Sequence, residues 1–320
     1  MTTGCWATNL LIGVGVLVGL SFVVNVIIPS VLTGSLNTIK ARYNKSGKAW
    51  ALITGTTSGI GASFVKILAE LGFNIVMVAR NEDKLKQTKA ELDQFLGSKK
   101  TVRIEYFVVD LGRRECITNE LQKFLSSNEI SVLVNNAGLN TEYPKLFIEN
   151  TKEELESILD VNCRSMTLLT HAILPSMVHR RNGLVINMSS LFGQLSGPLV
   201  SAYSGTKNYI DAFSLSLSEE LRGSGVRVFC SLPGFVVSNM SKIRRASFTV
   251  MSSDACVRSI LGQIAGNSSL VLASPHWTHS AIGWFMSTLV PSWLRLRLIG
   301  NINRGTNKAA LRKAAKLAAK

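Results

Sequence analysis

Acidic residues stop at Asp254: the remaining 66 positions contain none, and no Lys or Arg precedes Lys40. The first absence leaves the nine basic residues from Arg258 to Lys320 uncompensated and excludes a neutral C-terminal surface. The second removes the positive flank that a cleaved secretory signal needs. Cysteines are few, odd in number and scattered, at Cys5, Cys116, Cys163, Cys230 and Cys256, with no CxxC spacing. They exclude a disulfide framework and a thiolate zinc module, and they point to a reducing compartment. His276 and His279 lie three apart with no Cys or acid beside them, so no metal site is expected.

Charged residues make up 17% of the 320-residue chain against 46% hydrophobic ones, which excludes a disordered or collagenous polymer and leaves ample material for a core. The net charge is +15, but before Asp254 the balance is only mildly positive, so the basic surface is local. No aromatics interleave with that basic stretch and no reader motif appears, so nucleic acid is not an expected partner.

Leu10 to Ile28 is a run of nineteen residues without a charge, which as a helix reaches about 28 Å, the thickness of a hydrocarbon core. With Lys40, Arg42, Lys45 and Lys48 following, it reads as a single-pass anchor whose downstream domain faces the cytosol. Sequons at Asn44, Asn187, Asn239 and Asn267 are then unused. The expected plan is an anchor over 1–35, a basic juxtamembrane linker over 36–47, one catalytic domain over 48–275, and an interfacial segment with a basic tail over 276–320.

From Lys48, short β-branched runs alternate with longer amphipathic stretches: ALIT, GASFVKILAELG, NIVMVAR, NEDKLKQTKAELDQFL, VRIEYFVV, SVLVNN, a helix from about Lys152 to Met177, GLVINMSS, a helix from about Ser201 to Leu221, and VRVFCSL. This pattern predicts an α/β fold, a doubly wound parallel sheet of the Rossmann type, with ligands at the carboxyl ends of its strands. The first strand runs into TGTTSGIG. Gly55 permits the tight turn, Gly59 clears space for a pyrophosphate, and Gly61 lets the helix pack on the strand, with Thr57, Ser58 and Ile60 completing the cradle. The second strand ends at Ala79 and Arg80, where an acid would hold a ribose 2′-hydroxyl. A guanidinium there favours a 2′-phosphate, hence NADPH over NADH, unless Arg80 is only a solvated loop residue.

Tyr203 and Lys207 share one helical face at i, i+4, and the ammonium favours a phenol that exchanges its proton with an alkoxide. Ser190 closes the strand GLVINMSS at the sheet's carboxyl edge, where its hydroxyl can grip a carbonyl oxygen, while Ser189 alternates to the other face.

Over roughly Lys48 to Leu272, the fingerprint, the strand-end Ser and the YxxxK pair resemble the short-chain dehydrogenase/reductase family. The resemblance implies Asn162, in DVN, as a fourth catalytic member supporting a proton relay to Lys207. Without it, Asn162 reads as a helix-interior amide. It assigns Asn136, Ala137 and Gly138 of NNAG to the adenosine side, and Asp110 with Leu111 to the adenine ring, although Asp110 also reads as a helix cap. Pro233, Gly234, Val236 and Ser238 of PGFVVS match the family's PGxVxT at the nicotinamide, with Ser in place of Thr. Lys207 would also hold the cofactor ribose.

The segment after Ser238, with the apolar N-terminus, WTHSAIGWFMSTLVPSW and the basic tail, resembles the membrane-bound very-long-chain 3-oxoacyl-CoA reductases and the related 17β-hydroxysteroid dehydrogenases of types 12 and 3. That implies NADPH-dependent reduction of a lipid ketone: an acyl-CoA in fatty acid elongation, or else a steroid or retinoid. A membrane-bound NADPH-binding scaffold without turnover is the remaining reading. NNAG stands where many subgroup members carry NNVG, and KLAAK lacks the dilysine of an endoplasmic-reticulum retrieval signal. Lys242, Arg244 and Arg245 are the expected cations for nucleotide phosphates, or else a solvated basic loop. The tryptophan-rich segment reads as interfacial helix, covered core helix or dimer contact. A homodimer and contacts with elongation enzymes are the macromolecular partners this resemblance implies.

Overall fold

The computed structural model describes residues 3–97 and 101–318. The β-branched runs form strands β1 (Trp50–Thr54), β2 (Asn74–Ala79), β3 (Ile104–Val108), β4 (Ile130–Asn135), β5 (Gly183–Met188) and β6 (Val226–Ser231). A two-residue ribbon, β7 (Phe235–Val236) with β8 (Val250–Met251), and an edge strand, β9 (Leu272–Ala273), follow. The main sheet has the order β3-β2-β1-β4-β5-β6-β9, and its pairings are parallel. Strand order reverses between β1 and β4, which opens the ligand crevice of a doubly wound sheet above that pair.

Both faces of the sheet are covered, and alternation along each strand assigns its side chains to one layer or the other. Ala51 and Ile53 of β1 point to the layer of Phe64, Ile67 and Leu68 from helix Gly59–Glu70, Leu85 and Leu92 from Glu82–Leu96, and Ile260 from Ser253–Gly266. Trp50 and Leu52 point to the opposite layer of Leu121 from Asn119–Ser127, Leu169 and Ile173 from Ser165–His179, and Leu217 from Ser201–Glu220. The long helix expected from Lys152 is Lys152–Leu159, a π-turn at Asp160–Arg164, and Ser165–His179. Thr151 and Glu154 form its capping box.

The apolar N-terminal run is helical over Thr3–Phe22, passes through a π-turn at Val23–Ile27 and ends with Ile28–Val31. Asn9–Val31 is long and apolar enough to cross a membrane, and only 6% of its most apolar window is buried. Residues expected to be a linker instead form helix Leu36–Tyr43, whose Ile39 and Tyr43 enter the core at 1% exposure. The chain between is tied to Ser253–Gly266: Gly34 N donates to Gly262 O (2.8 Å), and Gln263 Nε2 donates to Pro29 O (3.1 Å).

Downstream, Trp277–Thr288 and Ser292–Ala318 are helices. The second is strapped over two loops, Asn303 Nδ2 to Pro198 O and Asn307 Nδ2 to Pro144 O, both 2.7 Å. The tail's last two residues lie outside the described ones.

Two sequon asparagines have structural work. Asn187 is fully buried in β5 between Asn135 and Ser214. Asn44 donates to Gly72 O (2.8 Å) and accepts from Ala49 N (3.1 Å), joining the end of helix Leu36–Tyr43 to the start of β1. Asn44→Ala leaves that amide and carbonyl without partners and is expected to destabilise the domain by about 1–3 kcal/mol. Denaturant unfolding of the full chain in detergent checks this.

Candidate active site

β1 ends in Thr54, and its side chain organises the crevice. Its hydroxyl accepts from the backbone N–H groups of Asn136 (3.0 Å) and Ala137 (2.9 Å), which drapes the turn after β4 over the end of β1. Asn136 Nδ2 returns the contact, donating to Thr54 O (2.9 Å) and Gly55 O (3.2 Å). Gly55 and Gly59 adopt left-handed backbone, φ +69° and +56°, and a Cβ on Gly61 would strike the Gly55 carbonyl. Helix Gly59–Glu70 begins at Ser58 without a side-chain cap, so its first amides remain for an anion. This cradle fits the pyrophosphate of a dinucleotide.

Around it, the other cofactor-side residues sit as follows. Arg80 is exposed just past the end of β2. Asp110, after β3, is also exposed; it accepts from Gly112 N (3.0 Å) and pairs with Arg113 at 3.8 Å, while Leu111 is buried beside it. Ser238 backs the glycine loop, since a Cβ on Gly59 would lie 3.0 Å from the Ser238 Cβ.

Four residues expected to act together converge at the carboxyl edge of β4 and β5. Ser190 follows β5 and caps helix Leu191–Leu195, its Oγ accepting from Phe192 N at 3.2 Å. Tyr203, in helix Ser201–Glu220, is buried beside Ser190, whose hydroxyl acts on the phenol. One turn on, Lys207 Nζ lies 5.5 Å from the Tyr203 ring centroid and donates to Met188 O at 2.8 Å. Asn162, in the π-turn, closes the group. It donates to Leu139 O and Thr206 Oγ1, both 2.9 Å, and accepts from Leu139 N at 2.7 Å. Gly138 leaves the shared space open, as a Cβ there would sit 3.5 Å from Lys207 Nζ and 3.6 Å from Asn162 Oδ1. Ser189 turns the other way, to Lys207 O.

Burial dominates the electrostatics. Desolvation pushes the Tyr203 phenol above its ordinary value, and the Ser190 hydroxyl works against that shift. Sequence reasoning gave this opposing role to the Lys207 charge; here Ser190 carries it and the ammonium faces the Met188 carbonyl. Burial also lowers Lys207 to about 8, an effect that the nearby Asp211 carboxylate partly offsets. Asp211 is itself raised to about 6 by burial.

On the substrate side, Pro233 and Gly234 follow β6, and Gly234 N donates to His279 Nδ1 at 3.2 Å. The other ring nitrogen of His279 contacts Thr249 O at 3.0 Å, so it is the N–H of this tautomer. One buried imidazole thus spans the turn after β6 and the loop before β8. Neither this brace nor the Thr54 clasp was anticipated; PHWTH and the first Thr of the glycine motif were the only signals. Among the described residues no cluster of three metal-ligating side chains occurs. Lys242 Nζ donates to Glu142 O (3.0 Å) and pairs with its Oε1 (3.5 Å), and Lys242, Arg244 and Arg245 are all exposed.

A fold with these residues at its crevice defines a nicotinamide-dependent oxidoreductase, and the chain belongs to the short-chain dehydrogenase family, whose family model matches residues 49–247. A very-long-chain 3-oxoacyl-CoA reductase of Pyricularia oryzae is 35% identical over 88% of this chain and 85% of its own length. The Homo sapiens protein of that name is 33% identical over 83% of each chain. A solved short-chain dehydrogenase from Sphingobium yanoikuyae in complex with NADPH is 27% identical, with a TM-score of 0.62 over 71% of this chain and 87% of that one.

Thr54→Val keeps the shape but deprives two backbone amides of their acceptor. It is expected to cost about 1–3 kcal/mol of stability and to weaken dinucleotide binding, with Thr54→Ser retaining both. Thermal unfolding and a cofactor fluorescence titration read the two effects.

Proposed function

We propose that this enzyme reduces the ketone of a 3-oxoacyl-CoA with NADPH, in the cytosol-facing domain of a single-pass protein of the endoplasmic reticulum membrane. The observation that carries the reaction is the convergence of Ser190, Tyr203, Lys207 and Asn162 beside an uncapped, glycine-lined helix start. The substrate class is supported by the relatives' names over more than four-fifths of the chain. The apolar span Asn9–Val31 followed by Lys40, Arg42, Lys45 and Lys48 supports the anchor and its orientation. That substrate class supports a role beside other elongation enzymes, and a homodimer is the assembly we propose for it.

NADPH, when bound, supplies the hydride for the carbonyl carbon. Ser190 orients the carbonyl oxygen and the neighbouring Tyr203 gives its proton to the alkoxide. A phenol raised by burial keeps that proton at neutral pH. Lys207 keeps positive charge one turn from the phenol and would hold the cofactor ribose, and Asn162 fixes the backbone of Leu139. Arg80 would meet the 2′-phosphate, and Asn136 to Gly138 would line the adenosine side. Lys242, Arg244 and Arg245 are the cations that would receive the nucleotide phosphates of an acyl-CoA. The catalytic groups are indifferent to what carries the ketone, so an oxo-steroid is the competing substrate.

Proteoliposomes given NADPH and a 3-oxoacyl-CoA are expected to oxidise the cofactor faster than with an oxo-steroid. Tyr203→Phe is expected to abolish turnover while retaining NADPH binding. Faster turnover of the steroid would replace the proposed substrate, and unaltered turnover by the variant would remove Tyr203 from the mechanism.

Reduction needs protonated Tyr203 and protonated Lys207. In the free enzyme the phenol stays protonated above the point, about pH 8, where Lys207 loses its proton. The kcat/KM for reduction is therefore expected to be level below that pH and to fall as pH rises through it. In Lys207→Met that limb should vanish along with most activity, as a pH–rate series would show.

Arg80→Asp should raise the KM for NADPH by roughly tenfold or more, the loss of one charge-assisted pair, while sparing NADH. Equal effects on both cofactors would assign Arg80 to solvent.

A further inference from the structure

Helix Trp277–Thr288 stands between the apolar N-terminal span and the catalytic wall. On one side Trp284 Nε1 donates to Ser21 Oγ at 3.0 Å, and the Trp284 ring meets Phe22 edge-on at 5.0 Å. On the other side His279 holds Gly234, and Gly283 abuts Leu191, the residue after Ser190. Its outer face is apolar and uncovered: Trp277, Ile282 and Phe285 are 52%, 45% and 51% exposed, and the stripe continues into Leu289 and Trp293.

The contact with Ser21 fixes how this face stands relative to the span. Ser21 lies ten residues before Val31, the end of the membrane-competent run. At 1.5 Å per residue that is about 15 Å back along the helix, half of a hydrocarbon core of about 30 Å. A helix docked there with an outward apolar face cannot sit in the aqueous phase while the span crosses the bilayer. The next helix has the matching polar chemistry: Arg295, Arg297, Arg304 and Lys308 with no acid among them, and Arg295 tied back to Met286 O at 3.0 Å. Aromatic residues at the boundary and cations beside it are what an anionic leaflet receives.

We propose that the outer face of Trp277–Thr288, continued by Leu289 and Trp293, is buried in the cytosolic leaflet beside the anchor, so that the wall of the active site is seated on lipid. This rests on the membrane anchor proposed above. Its functional content is a direct apolar path: Phe248 of the substrate loop is 72% exposed and stacks edge-on with Trp277 at 5.6 Å, so the mouth opens where an acyl chain already resides.

The test uses the full chain in nanodiscs of phosphatidylcholine and phosphatidylserine, with a photo-crosslinking phenylalanine analogue placed singly at Leu17, Phe95, Phe285 or Trp293. Each protein is first shown to bind NADPH. Lipid adducts at Phe285 and Trp293 are expected to match those at Leu17 and to exceed those at Phe95, an exposed residue of helix Glu82–Leu96, by about tenfold or more, as immersion in acyl chains requires. Adducts at Leu17 alone would overturn the leaflet seat and leave the anchor standing. Crosslinks from Phe285 or Trp293 to a second copy of the chain would also overturn it, making the face a dimer contact. No lipid adduct at Leu17 would remove the anchor itself and the seat with it.

Discussion

An ammonium group at 4% residue exposure is costly, several kcal/mol before compensation, and much of the architecture around the crevice answers that cost. Lys207 is met by the carbonyl at the end of β5 and by the Asp211 carboxylate nearby. Because β5 is a central strand paired on both sides, the carbonyl that receives the ammonium cannot drift. The same helix carries Tyr203 one turn earlier, so fixing the amine also fixes the phenol against Ser190. A buried charge is thus the device that holds these candidate catalytic groups in one geometry.

The second constraint is the stitching of loops across the switch point. Thr54, Asn136 and Asn162 are short polar side chains that satisfy backbone groups of neighbouring turns rather than their own. Each bond joins segments far apart in the chain, so the crevice is organised by long-range contacts while the sheet beneath supplies rigidity. His279 extends the pattern to the substrate side and links the turn after β6 to the helix that touches the apolar span. Binding surface, catalytic wall and N-terminal helix are therefore mechanically continuous.

Much of this was legible in the sequence, for physical reasons. Strands buried on both faces must be continuous apolar runs, so β1 to β6 were visible, and so were most of the helices between them, but not the nine-residue Asn119–Ser127 between β3 and β4. β9 was not: two residues paired to β6 carry no period, and their placement depends on the tertiary context of Ser253–Gly266. The Ser190, Tyr203 and Lys207 grouping was readable because a strand end and an i, i+4 spacing fix direction. The Thr54 clasp and the His279 brace were not, since both join residues with no sequence proximity. Lys242 read as a free cation, but its contact with Glu142 depends on how two loops face each other, which spacing does not encode. Residues 36–47 read as a linker because their charges are dense; Ile39 and Tyr43, four apart, bury the one face that makes them a packed helix.

The most direct measurement is the fate of deuterium from NADPH fully deuterated at nicotinamide C4, incubated with the full chain and a 3-oxoacyl-CoA. Deuterium at the new carbinol carbon of the 3-hydroxyacyl product is expected, with neither product nor label transfer in Tyr203→Phe. A hydroxy product free of deuterium, or label transfer untouched by that substitution, would contradict hydride transfer at the Ser190, Tyr203 and Lys207 site.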